Sequence, residues 1–423
     1  MRLLPLSILL VVACGAGSDA PPDRVVRDSA GVTIVESPDA AAADTISWWA
    51  DTAAIVRIGA VDGDGPDVFG RIAGVVRLSD GRIVVADALA SEIRFFAADG
   101  TFLEQTGRDG SGPGEYRYFS ALHRLPGDSL LAIDNEGGRL TVLDPTGRYI
   151  RTFRYESKTG EVPRSDRPGV RGVFDDGTFL VGEYLNACAA VRRTGGVCQD
   201  SMRFTRDTQS GERLADYGPH AYYRSETIRL PGGNYGFSDP LPQAFRATQG
   251  DRFYTADADR FEILVYGPAG GLEHIVRLAH EPPPLPRSAR EPPTFSGDDG
   301  PEAQRRSADI AEAYTLRTWP EHQPAFRAFT VDRVGNLWVQ EYQPAGPGAM
   351  AARWLVFDST GVLRHGLRLP AIMIVPSYVM RWSGEIGDDY AIGVARDANG
   401  VESVWVVPIR KQRDAAAAPR TPG

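Results

Sequence analysis

The feature that most constrains this chain is a unit repeated along most of its 423 residues. Five segments carry a turn, an apolar strand and then an acidic residue: LSDGRIVVAD (78–87), LPGDSLLAID (125–134), FDDGTFLVGE (174–183), TQGDRFYTAD (248–257) and DRVGNLWVQE (332–341). Aligned on Gly81, Asp128, Gly177, Asp251 and Gly335, the acidic residue (Asp87, Asp134, Glu183, Asp257, Glu341) falls six positions on in every copy. A degenerate sixth copy begins at Gly387. A second hairpin follows each of the five, with turn glycines at Gly100, Gly147, Gly211, Gly270 and Gly361, that is 19, 19, 34, 19 and 26 residues beyond the anchor. The equal offsets mark equivalent units, and the two longer ones mark insertions.

Apolar strands joined by Asp-Gly, Thr-Gly and Ser-Gly turns are hairpin signals, because glycine accepts the positive φ such turns need. Two successive hairpins make a four-stranded antiparallel sheet. Radial repetition of such sheets gives a propeller, which leaves only short, protected edges. The anchor spacings of 47, 49, 74, 84 and 52 residues match blades of roughly 40–50 residues with loops inserted in the longer ones. A stacked architecture also accommodates a length beyond the roughly 250–300 residues at which single cores stop growing. The expected fold is therefore all-β: a six-bladed propeller of four-stranded antiparallel blades over residues 25–410, with insertions at about 187–200 and 281–325.

The sixth unit lacks its outer strand, since ESVWVVPI (402–409) runs into a polar tail. Asp62-Gly63-Asp64-Gly65-Pro66 parallels Asp109-Gly110-Ser111-Gly112-Pro113, and each proline precedes its anchor by 15 residues. The strand before the first of these, Ile55 to Ile58, has no blade of its own. It is expected to pair with the C-terminal strand and close the ring. Taking that strand as the point of entry puts about 40 residues between Cys14 and the ring.

The succession of strand, Asp, second strand, DGTFL (99–103) and GRDGSGPGEY (107–116) resembles the NHL repeat family of six-bladed propellers, best over Val75 to Phe153. The layout as a whole is similar to bacterial six-bladed propeller lipoproteins of unassigned function, through GNLWV (335–339) and the strand from Trp354 to Gly361. These resemblances imply a fold and no activity.

The N-terminus reads as a leader. Arg2 precedes an apolar run, Leu3 to Ala13, which is too short to span a bilayer at about 20 residues but fits a secretory signal peptide over residues 1–13. Val11-Val12-Ala13-Cys14 resembles the bacterial lipobox, which implies lipidation of Cys14. Gly15 and Ala16, in place of an Asp after the cysteine, imply the outer membrane. Residues 14–24 are expected to be a flexible tether and 411–423 a disordered tail. Val25 to Glu36 reads as a small hairpin against the ring, and Trp48 and Trp49 as packed on its side.

The chain carries 46 basic against 55 acidic residues, a net charge of −9, and loss of Arg2 makes the mature chain one unit more negative. Such a protein has no general attraction for nucleic acid, and its membrane contact is expected through the lipid alone. Besides Cys14 the cysteines are Cys188 and Cys198, in the third-blade insertion. An exported compartment permits a disulfide between them, and no histidine near in sequence would complete a zinc site.

Glu281 to Ala325 opens with prolines and continues into PEAQRRSADIAEAYT (301–315). Asp299 or Gly300 as cap with Pro301 in the first turn is a helix start. The helix lies either across one mouth of the ring or on its rim.

Chemistry is sparse. The five repeated acids are expected to cap turns by accepting backbone N–H bonds. Asp62, Asp64 and Asp67 lack the spacing of a calcium loop and read as turn residues. The six histidines fall at unlike places in the repeat, and His220, beside Tyr222 and Tyr223, reads as a satisfied loop residue. No nucleophile elbow, phosphate loop or metalloprotease helix is present. No cofactor, metal site or catalytic set is expected. The expected function is a monomeric, envelope-anchored scaffold that binds a protein, peptide or glycan at a propeller mouth. The alternative is a lactonase-like, metal-dependent hydrolase or lyase with its site in the channel mouth.

Overall fold

The structure, a computed structural model, describes residues 24–411 except 39–47, 135–137, 159–168, 186, 187, 189, 293–299, 344–350, 373, 375–383 and 398. The leader, Cys14 and the C-terminal tail lie outside the described residues.

A hairpin of β1 (Val25–Ser29) and β2 (Val32–Ser37) comes first, then β3 (Trp48–Ala50) and β4 (Val56–Ile58). Blade one is β5 (Ile72–Arg77), β6 (Ile83–Asp87), β7 (Glu92–Phe96) and β8 (Phe102–Thr106). Blade two is β9 (Phe119–Arg124), β10 (Leu130–Asp134), β11 (Arg139–Leu143) and β12 (Tyr149–Arg154). Blade three is β13 (Val170–Val173), β14 (Phe179–Tyr184), a turn of helix α1 (Val191–Thr194), β15 (Gly196–Asp207), β16 (Arg213–Leu230) and β17 (Gly233–Phe237). Blade four is β18 (Ala244–Gln249), β19 (Arg252–Asp257), β20 (Glu262–Tyr266) and β21 (Leu272–Leu278), and α2 (Pro301–Thr315) follows it. Blade five is β22 (Ala328–Val331), β23 (Leu337–Gln340), β24 (Ala351–Phe357) and β25 (Leu363–Pro370). Blade six is β26 (Glu385–Ile386), β27 (Tyr390–Arg396) and β28 (Glu402–Lys411).

Six sheets therefore form, one per repeat, and the protein is a six-bladed β-propeller. The innermost strands β5, β9, β13, β18 and β22 contact one another in turn, β22 contacts β26, and blade six returns to β5 through β27. Second strands are buried on both faces. Val84 and Ala86 of β6 pack toward blade two, while Ile83 and Val85 pack toward blade six. This explains why IVVA is an uninterrupted apolar run, as in any sheet covered on both sides. Its turn is closed by Gly81, at φ +91°, whose N–H reaches the Leu78 carbonyl at 3.0 Å.

Blade six is completed from the other end of the chain. β4 pairs antiparallel with β28, Ile58 opposite Val404 and Val56 opposite Val406, and β3 extends the same edge with Trp48 opposite Lys411. Strand β28 thus runs to Lys411, one residue past the expected end of the propeller. Trp48 stacks on His365 at 4.1 Å and lies near Trp338. Trp49 departs from expectation: it is 52% exposed, because it points away from the ring on the alternate face of β3.

The β1–β2 hairpin does not lie loosely on the ring. β2 adds a parallel strand to β21, Thr33 opposite His274 through Ser37 opposite Leu278, and so covers the outer edge of blade four. The chain therefore first meets the propeller at Val32, not near residue 55. The 40-residue spacing read from the sequence is corrected accordingly.

Candidate functional site

The topology gives the central channel two unlike mouths. At one, each innermost strand turns tightly into the second strand of its blade. At the other arrive the connections between blades and between second and third strands, which carry every long insertion.

Around the tight-turn mouth, hydrogen bonds run from blade to blade. From blade three, Asp175 N–H donates to the Gly250 carbonyl of blade four at 3.0 Å. Gln249 Nε2 reaches Asp175 and the Arg333 carbonyl of blade five, each at 3.4 Å. Arg333 Nη2 donates to Glu385 of blade six and to the Arg77 carbonyl of blade one, both at 2.6 Å. Glu385 also accepts from Arg77 N–H at 3.0 Å and from the Tyr390 hydroxyl at 2.7 Å. Ser79 of blade one donates from its backbone to Asp128 of blade two at 2.9 Å, and Arg124 pairs with the same carboxylate at 3.0 Å. Burial pushes the Asp175 carboxyl and the Tyr390 hydroxyl above their ordinary values. Against the opposing effect of burial, Ser79 and Arg124 hold Asp128 below its own. A cavity of about 280 Å³ lies beside Arg77, Arg333 and Tyr390. Apart from the anchor Asp128, these residues are not singled out by the sequence, because their partners sit on other blades.

Four of the five repeated acids, Asp87, Asp134, Asp257 and Glu341, differ in what they hold. Asp87, 1% exposed, accepts four backbone N–H groups, from Gly70, Arg71, Leu89 and Ala90, at 2.9 to 3.2 Å. Asp134 accepts from Arg117 and Tyr118, both at 3.0 Å. Both fix the entry of an innermost strand, as expected of caps. Asp257 accepts Asp259 N–H, two residues on, at 3.4 Å, and it and Glu341 also engage side chains. Asp257 is held by Gln199 Nε2 at 2.7 Å and Arg224 at 3.2 Å, and Glu341 pairs with Arg353. Arginine partners recur across the blades, Arg94 at Asp87 and Arg139 at Asp134 among them; at Asp257 the arginine comes from the arm.

The loop mouth is built up over blades three to five. β14 pairs only with Met202 to Asp207 of β15, so the rest of the β15–β16 hairpin and β17 project beyond the blade as an arm. Arg224 on the arm bonds Asp259 of blade four at 2.6 Å. Helix α2 starts at Gly300 with Pro301 in its first turn, as expected, and rests on the arm. Tyr235 donates to Asp309 at 2.5 Å, and Phe237 meets Tyr314 edge-on. Arg317, just past the helix, is buried among Phe237, Tyr314 and Trp319 and paired with Glu226. The helix thus packs on the arm.

Cys188 and Cys198 are bonded, with Cα atoms 5.7 Å apart. Cys188 N–H donates to Asp200 at 3.2 Å, and the Tyr184 hydroxyl donates to the same carboxylate at 2.9 Å. Tyr184 meets Tyr222 edge-on, and Arg246 of β18 lies 4.8 Å over the Tyr222 ring. Disulfide loop, arm and innermost strand thus meet between blades three and four.

His220 takes no part in these contacts. It bonds the Tyr217 carbonyl and packs among Phe204, Phe253 and Tyr266, where burial lowers its basicity. His123, on β9, is pushed down to about 4 by burial. Asp62, Asp64 and Asp67 lie in the turn segment before β5, where Asp67 carbonyl accepts from Ala60. Among the described residues no three His, Cys, Asp or Glu side chains are placed to hold a metal ion. A second cavity, about 620 Å³, lies between β12 of blade two and the 208–210 turn of blade three, beside Arg151, Phe153 and Gln209.

A family model described as a 6-bladed beta-propeller matches residues 68–162, in agreement with the six sheets. No curated protein matches the sequence. Similar solved structures include a candidate exported protein of Bacteroides fragilis (13% identity, 89% of this chain and 99% of that one, TM-score 0.45). Others are virginiamycin B lyase from Staphylococcus aureus (11%, 84% and 98%, 0.38) and a gluconolactonase from Xanthomonas campestris (14%, 81% and 86%, 0.35). At these TM-scores none of the likenesses says what this chain binds. Among the described residues no helix is long and apolar enough to cross a membrane.

Proposed function

We propose that the chain is an envelope lipoprotein, lipidated at Cys14 and anchored in the outer membrane, whose propeller is a monomeric binding module. Its seat for a protein, peptide or glycan is the loop mouth. The observation that carries this reading is the contrast between the mouths. Across the tight-turn mouth the polar groups are spent on one another, from Asp175 round to Asp128. The loop mouth is walled by an arm, a disulfide loop and a helix that the propeller itself does not need, and loops held on a rigid scaffold are where recognition residues sit. Fold alone does not select a ligand, so the seat has to be tested directly.

A photo-crosslinking side chain at Leu89, 73% exposed on the loop side, is compared in intact cells with one at Ser79 on the tight-turn side. Specific crosslinks from position 89 alone are expected. Crosslinks from position 79 alone would overturn the assignment of the seat. Incorporation of labelled fatty acid, lost in Cys14→Ala, tests the anchor.

A further inference from the structure

One cross-strand pair of blade four breaks a rule that its sister blades keep. Four residues beyond the aligned anchors Gly81, Asp128, Gly177, Asp251 and Gly335, the cross-strand pair is Val75–Val85, Leu122–Ala132, Val170–Val181, Arg246–Thr255 and Phe329–Val339. Four of these pairs are apolar, and their innermost-strand members are at most 5% exposed. In blade four the pair is an arginine opposite a threonine. The position faces the preceding blade, and Arg246 accordingly lies over Phe204 and Tyr222 of blade three, 5.8 and 4.8 Å from their ring centroids.

An arginine here costs desolvation that Val, Leu or Phe would not. The ring contacts with Phe204 and Tyr222 offset part of that cost, but no hydrogen bond does among the described residues. Arg246 Nε has no hydrogen-bond partner, and the guanidinium has no ion pair among the described residues. The nearby carboxylate, Asp200, is taken up by Tyr184 and Cys188 N–H. The next one round, Asp257, is taken up by Gln199 and Arg224. Tyr222 covers the guanidinium from one side, 4.8 Å from Cζ to the ring centroid, and a cation over a ring face does not use the in-plane N–H donors.

We propose that Arg246 is the anchor for a carboxylate carried by the ligand, which enters between blades three and four at the loop mouth. A flat guanidinium presents parallel N–H donors that match the two oxygens of a planar carboxylate. Tyr222 covers one face of the guanidinium, and the disulfide loop at Cys188 backs Tyr222 through Asp200 and Tyr184. This deepens the loop-mouth reading and rests on it. The two fail separately: crosslinks at position 89 that persist in an Arg246→Met chain would leave the seat standing and remove its anchor.

The test uses the mature chain with benzoate and succinate as probes and benzamide and inorganic phosphate as controls, followed by calorimetry. Saturable binding of the carboxylates is expected, with benzamide and phosphate weaker by about tenfold or more. Arg246→Met should weaken benzoate by about tenfold or more while leaving the melting temperature unchanged or higher, since the sister blades are apolar there. Arg246→Lys should retain part of the binding. No saturable carboxylate binding, no preference over benzamide or phosphate, or binding unchanged in Arg246→Met would each overturn the proposal. Should Arg246→Met fail to fold, protection of Arg246 from phenylglyoxal by benzoate, read by mass spectrometry on the wild-type chain, reports the same contact. Absence of protection would overturn it.

Discussion

Arg317 Nε and Glu226 Oε2 lie 3.3 Å apart in a buried ion pair that joins residues 91 positions distant in sequence. One comes from the insertion after blade four, the other from the arm of blade three. Thr318 N–H adds a 2.7 Å bond to Glu226, and Arg317 Nη2 reaches the Asp239 carbonyl at 2.9 Å. Removing one member strands the other in an apolar site, a loss of about 3–5 kcal/mol. Arg317→Met should therefore release arm and helix together. Hydrogen exchange should rise in residues 218–237 and 301–316 while blades one and two stay protected. Unchanged exchange in the arm would show the pair to be dispensable.

Asp87 should prove costlier to replace than an acid at a strand end ordinarily is. Four backbone N–H groups converge on it, and each buried donor left without an acceptor costs about 1–3 kcal/mol. Asp87→Ala is expected to lower the denaturation midpoint markedly, with Asp87→Asn intermediate, because one amide oxygen can still accept. Equal midpoints for wild type and Asp87→Ala would contradict this.

Closure of the ring rests on β4 against β28, so deleting residues 53–59 should weaken the whole propeller. Fluorescence and circular dichroism should report one shifted transition, since each blade packs on the next and the last is missing its edge. An unshifted transition, or one confined to blade six, would count against closure by the chain ends.

His123 gives the fold a pH dependence of definite sign. Burial lowers its imidazole from 6.5 to about 4. Near neutrality both folded and unfolded chains keep it uncharged. As pH falls through the unfolded value, the unfolded chain takes up a proton that the folded one refuses, so stability declines between about pH 7 and 4, by roughly 3 kcal/mol in all. Denaturation midpoints measured across that range should fall less steeply in His123→Val, a residue that the ladder position accepts in blade one at Val76. Parallel slopes in the two chains would refute the attribution.

The blades were legible because a blade is a local object: two tight turns at fixed offsets, such as Gly81 and Gly100, report four strands. Closure was legible because the glycine-proline signature before β5 recurs before β9. The arm was not. Residues 213–230 continue one strand far beyond the length its blade requires, and alternation alone does not say where a strand leaves its sheet. Arg246 was hidden for a different reason. Its turn, Gly250-Asp251, is one residue shorter than the others, so only the paired ladder places Arg246 opposite Thr255 and level with Val75 and Leu122. The interblade ring through Glu385 and Arg333 joins side chains 52 residues apart, a relation no local pattern carries.

The parallel seam between β2 and β21 decides how the molecule bears load. A pull on the N-terminus reaches the β1–β2 hairpin first and is carried by the five residue pairs from Thr33 to Ser37. The closing strand β4 lies downstream of that seam and feels tension only after it has sheared. The hairpin thus acts as a mechanical fuse, and with a lipid at Cys14 the disc would hang by the perimeter of blade four, its two mouths facing sideways along the membrane.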